Sequence, residues 1–111
     1  MTARTLADLS VPLMALRLLR SEFAHLPAPS VAVSTVYPDL LELSLHDFAG
    51  FELWREALAI DPSDVVHRVS GDGWAEVLDV HAAFAGARVR LTGYAWISAP
   101  ERERSRVGVS P

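Results

Sequence analysis

At 111 residues the chain is long enough for one hydrophobic core and too short for two, which predicts a single domain. Half of its residues are apolar and 22% are charged, so it is not a disordered, charge-solvated polymer. It has no cysteine and a net charge of -4, which excludes a disulfide framework, a thiolate metal site and a cysteine nucleophile, and argues against the overall footprint of a duplex-binding protein.

Ser10 is the expected N-cap of a first helix, with Pro12 in the first turn where its missing N–H costs little. The helix is predicted to run to about His25 and to stop before Leu26-Pro27-Ala28-Pro29. Leu13, Leu16, Leu19, Phe23 and Leu26 recur at helical spacing, and Val11, Met14 and Leu18 broaden the stripe. So much apolar circumference predicts cover on more than one side, by the chain's own sheet and by a partner chain. The apolar run Val11 to Leu19 is interrupted by Pro12 and Arg17 and follows Asp8, with no small-residue cleavage motif after it. Neither a signal peptide nor a spanning helix of about 20 apolar residues is expected, and a cytoplasmic location is the default.

Ser30 to Val36 and Leu41 to His46 read as a hairpin around Tyr37-Pro38-Asp39-Leu40, where Pro38 and Asp39 suit the two central turn positions. Leu41, Leu43 and Leu45 point inward. For the first strand, Val31/Val33 and Ala32/Val36 are competing inner faces. A second helix starts at Asp47 or Gly50 and ends near Ala59. Its expected buried side is Phe48, Phe51, Trp54 and Leu58, flanked by Leu53 and Ala57, with Glu52, Arg55 and Glu56 in water. Phe51 and Trp54 at helical spacing read as core rather than as a cofactor box.

A third strand, Val65 to Ser70, turns at Gly71-Asp72-Gly73 into the strand beginning near Trp74. The last hairpin is the most informative part of the chain. A turn at Phe84-Ala85-Gly86-Ala87 pairs Ala82 with Val89, Val80 with Leu91 and Leu78 with Gly93 on one apolar face. The opposite face then carries His81 beside Arg90, Asp79 beside Thr92, Val77 beside Tyr94 and Ala75 beside Trp96, because side chains alternate across a strand. The result is an α+β fold of order α-β-β-α-β-β-β, an antiparallel sheet of about five strands with two helices on one face, spanning residues 1–97. Residues 98–111 lack apolar periodicity and read as a disordered tail, in which Glu101 and Glu103 offset Arg102, Arg104 and Arg106.

The chemistry-bearing residues do not assemble into a recognisable catalytic set. Asp79 and His81 share a strand face about 7 Å apart, a workable ligand spacing, but polar residues on the solvated side of a half-buried strand are the stronger reading. His25, His46 and His67 add candidates only if the two hairpins adjoin. No serine lies in a nucleophile elbow, and no glycine cluster precedes a helix as a phosphate loop does. No enzyme activity and no cofactor or metal are therefore expected.

The outer sheet face is the candidate working surface: His81, Arg88, Arg90, Tyr94 and Trp96, with Arg68 at its margin. Tyr, Trp and Arg dominate protein–protein interfaces; the same combination of guanidinium groups and rings binds single-stranded nucleic acid. The interface reading ranks first, an ordinary solvated face second and nucleic acid third. The expected function is non-enzymatic binding through protein–protein contacts, as a homodimer or with another protein, with no membrane partner; the alternative is single-stranded nucleic-acid binding on the same face.

Val36-Tyr37-Pro38-Asp39 followed by Leu41-Glu42-Leu43, and Trp54-Arg55-Glu56-Ala57-Leu58 with Phe84-Ala85-Gly86 and Leu91-Thr92-Gly93-Tyr94, resemble small uncharacterised proteins of GC-rich bacteria and their phages or integrative elements. The resemblance covers roughly residues 12 to 97. It implies an accessory role on a mobile element, and neither an activity nor site residues. The basic residues agree with a GC-rich source, since all ten are Arg and residues with AT-rich codons (Lys, Asn, Gln) are absent.

Overall fold

The computed structural model describes residues 3–97; the predicted tail from Ser98 lies outside the described residues. The elements are α1 (Ser10–Glu22), β1 (Ser30–Val33), β2 (Leu40–Leu45), α2 (Phe48–Ala57), β3 (Val66–Val69), β4 (Ala75–Phe84) and β5 (Ala87–Trp96), with short 3-10 helices at Leu6–Leu9 and Pro62–Asp64. The strands form one sheet in the order β1-β2-β5-β4-β3. Among the described residues no helix is long and apolar enough to cross a membrane.

The core lies between the sheet and both helices. Leu41, Leu43 and Leu45 of β2 and Val89 and Leu91 of β5 meet Ala15 and Leu19 of α1 and Phe51 and Trp54 of α2. Phe23 packs edge-on against Trp54, centroids 6.5 Å apart, and the Trp54 indole N–H donates to the Pro27 carbonyl at 2.8 Å. Gly93 allows α2 to lie close on β5, because a Cβ there would sit 2.7 Å from the Phe51 Cβ.

The sheet is mixed, not antiparallel throughout. β2 runs parallel to β5, with Leu41 beside Val89 and Leu43 beside Leu91. α2 carries the chain back across the sheet, so β3 restarts in the direction of β2; the β3-β4-β5 meander preserves that direction at β5. A helix between two strands is the usual route to parallel pairing. β3 cannot take a central place, since His67 and Arg68 put polar groups on both of its faces and all four of its residues are exposed.

The β4–β5 register agrees with the predicted one: Ala82 opposes Val89, Val80 opposes Leu91, and His81 opposes Arg90. Ala85 and Gly86 both have positive φ, 50° and 81°, the geometry of the two-residue turn whose twist matches that of a hairpin. In the first hairpin the turn Tyr37–Leu40 forms, with Leu40 N–H donating to Tyr37 O at 3.0 Å. It does not close the strands, because Ser34 Oγ accepts from the N–H groups of Val36 and Tyr37 and ends β1 early. The competing faces of β1 resolve to Val31 and Val33 on the helix side, opposite Leu43 and Leu41.

Other expectations change at the helices. Ser10 is the first residue of α1 rather than its cap: the chain enters through the 3-10 helix, where Thr5 N–H donates to Asp8 Oδ2 at 2.8 Å. α1 ends at Glu22, short of His25. Its inward line is Pro12, Ala15 and Leu19, so Val11, Met14 and Leu18 stand in solvent with Leu6. On α2, Asp47 is the cap and accepts from Gly50 N–H. Arg55 is buried rather than in water, because its Nη1 donates to the Ile60 carbonyl beyond the helix end and its Nε to Glu52 at 2.8 Å. Leu53 is exposed in its place.

Candidate functional site

The outer face gathers His81, Arg88, Arg90 and Tyr94 on adjacent β4 and β5, because all four occupy the register positions that alternate away from the core. Tyr37, Leu40, His81, Arg88 and Arg90 line a shallow depression at one end of this face. Tyr94 lies toward the other end and stacks on His46, centroids 6.4 Å apart. Trp96 ends β5 and is 75% exposed.

Both arginines are held by carboxylates. Arg90 reaches diagonally past His81 to Asp79, with Nε to Oδ1 at 3.1 Å and Nη2 to Oδ2 at 2.8 Å. Thr92 Oγ1 lies 3.4 Å from the same Oδ1. On its other side Arg90 Nη1 stands 4.0 Å from Glu42 of β2. Arg88 forks onto Asp39 at 2.8 and 3.2 Å, and its guanidinium lies over the Tyr37 ring at 5.8 Å. Hydrogen bonding to Arg90 holds the Asp79 carboxyl below its ordinary pKa and raises Arg90 in turn; Arg88 does the same to Asp39. Arg88 and Arg90 are therefore members of charge pairs rather than free cations.

Sequence reasoning missed these carboxylates as partners. Asp79 was legible in principle: once it opposes Thr92, Arg90 is its diagonal neighbour, within reach of a long side chain. Asp39 had no local signal, lying 49 residues from Arg88. The face is also less solvated than expected. Val77, between its cross-strand neighbours Arg68 and Tyr94, is 1% exposed, and Thr92 is 4% exposed.

The histidines do not converge. His46 stands at the Tyr94 end, His81 opposes Arg90, which lies four residues before Tyr94 on β5, and His67 points to the opposite side of the sheet toward Glu76 at 3.9 Å. Among the described residues no group of three or more His, Asp or Glu could hold a metal ion.

The Asp79–Arg90 pair implies a pH signature. A carboxylate whose folded-state pKa is depressed contributes stability above its unfolded value of about 4 and loses it as pH falls through the folded value. Asp79→Asn is therefore expected to flatten the acid limb of the stability profile below about pH 4 relative to the parent. Urea midpoints measured across that range check this, and parallel profiles would show that the pair contributes nothing to folding.

Family models, curated proteins and solved structures were each compared with the chain, and none matches.

Proposed function

We propose that this chain is a non-enzymatic accessory protein that acts through protein–protein contacts, first of all with a second copy of itself. The observation that supports this most is the amount of apolar surface left outside the core. Leu6, Val11, Met14 and Leu18 are 42–73% exposed along the 3-10 helix and α1, and Val31, Leu53 and Trp96 add to them on other elements. Exposed apolar groups scattered singly are normal, whereas a continuous stripe on one helix marks a contact surface.

Light scattering coupled to size exclusion, at low and high salt, tests this reading. The expected mass is about twice 12.1 kDa in both conditions, because apolar burial is not screened by salt. A monomer at every concentration would remove the homodimer.

Single-stranded nucleic acid is the second reading, favoured by the exposed Trp96 at the end of the Tyr94 strand. The engagement of Arg88 and Arg90 by Asp39 and Asp79 weighs against it. It requires tryptophan quenching by an oligonucleotide, with affinity falling steeply as salt rises.

A further inference from the structure

We infer that α1 packs in parallel against α1 of a second copy, about a two-fold axis running along the two helices, with Arg17 of each copy paired to Glu22 of the other. This deepens the homodimer reading above and rests on it. The seam is the stripe that the core leaves uncovered: Val11, Met14 and Leu18, all exposed and spaced three and four residues apart. These are the a, d and a positions of a heptad, and a β-branched residue such as Val11 at a favours a parallel two-stranded pair. Met14 also walls a shallow groove with Leu6, Ala7, Ser10 and Leu13, so the apolar surface continues from the seam to Leu6.

The charges beside the stripe give the direction. Arg17 precedes Leu18 and takes a g position; Glu22 follows it by four and takes an e position, on the other flank. Both are exposed, and neither has an ion-pair partner among the described residues. Glu22 is the last residue of α1, at the negative end of the helix dipole, where a carboxylate is unfavourable without a cation beside it. In a parallel pair each g residue faces the e residue five positions further along the other helix, which sets Arg17 against Glu22 twice by symmetry. An antiparallel pair puts like flank beside like flank and leaves both charges unpaired.

The chain has no cysteine, so single cysteines report the direction. In the parallel pair every seam residue faces its own counterpart. Val11→Cys and Leu18→Cys, each alone, are therefore expected to give covalent dimers with a short bis-maleimide, while Arg68→Cys on β3 stays uncross-linked. Met14→Glu is expected to dissociate the dimer with its thermal midpoint near that of the parent, because Met14 lies outside the core. Arg17→Glu is expected to raise the dimer Kd about 10-fold at low salt, since two exposed pairs turn repulsive together; adding Glu22→Arg should restore it. Cross-linking only in a mixture of the Val11→Cys and Leu18→Cys chains would show an antiparallel pair and overturn the inference while leaving self-association standing. A dimer indifferent to Met14→Glu, or a charge swap that restores nothing, would do the same. A parent chain that is monomeric throughout would overturn both.

Discussion

Trp54→Ala is expected to lower the thermal midpoint by more than about 12 °C, which for a domain of this size corresponds to the ~3–5 kcal/mol lost when a buried tryptophan is truncated. Trp54 is 5% exposed and lies where three parts of the chain meet. Its ring packs on Phe23 after α1, its N–H holds the Pro27 carbonyl before β1, and its own helix covers β5. Truncation leaves a cavity and an orphaned carbonyl together. Trp54→Phe separates the two effects: it keeps most of the volume and loses only the hydrogen bond, for about 1 kcal/mol. It also changes the fluorescence, because Trp74 and Trp96, 44% and 75% exposed, would be the remaining tryptophans, and the emission should shift to the red. A midpoint for Trp54→Ala within about 4 °C of the parent, equivalent to roughly 1 kcal/mol, would refute this account of the core.

Gly93→Ala is the second large effect, and it comes from adding a methyl group. The new Cβ would meet Phe51 Cβ at 2.7 Å and Cγ at 2.9 Å. Phe51 Cβ is attached directly to the α2 backbone, so no rotamer change removes the clash and the helix must lift from the sheet. Overpacking of this kind costs roughly 1–3 kcal/mol, a midpoint drop of about 5–20 °C. Gly71→Ala is the control, because nothing lies within 4 Å of its added Cβ and its φ is not in the left-handed region. Equal midpoints for the two variants would show that α2 does not approach β5 as closely as described.

These two residues differ in how readily they could be found from the sequence. Phe51 and Trp54 stand three apart on a helix that is apolar on one side, and Gly93 sits in the middle of an alternating strand with no turn to explain it. Periodicity identifies such positions as core or close approach, but it does not say which helix meets which strand. The apolar stripe of α1 shows the same limit. The recurrence of Leu13, Leu16 and Leu19 marked the helix, yet burial fell on Pro12, Ala15 and Leu19, while Met14 and Leu18 remained outside. With apolar residues around most of its circumference, orientation is set by what the sheet presents.

The candidate site divides similarly. His81, Arg88, Arg90 and Tyr94 share a face because a two-residue turn at Ala85-Gly86 leaves only one register for the strands it joins. That much follows from local spacing. The electrostatic character of the face does not, since Asp39 reaches Arg88 only because β2 lies beside β5.

The sequence by itself determined the elements that short-range rules control: the β4–β5 pairing, the inward leucines of β2 and the Tyr37–Leu40 turn. Only the tertiary structure decided that β2 lies parallel to β5, that Arg55 turns inward, and that the outer arginines are paired. The physical reason is range. A hairpin couples residues a few positions apart through one turn, whereas the β2–β5 pairing follows from the return path of a helix and from which strand can tolerate a central place. No local pattern records either.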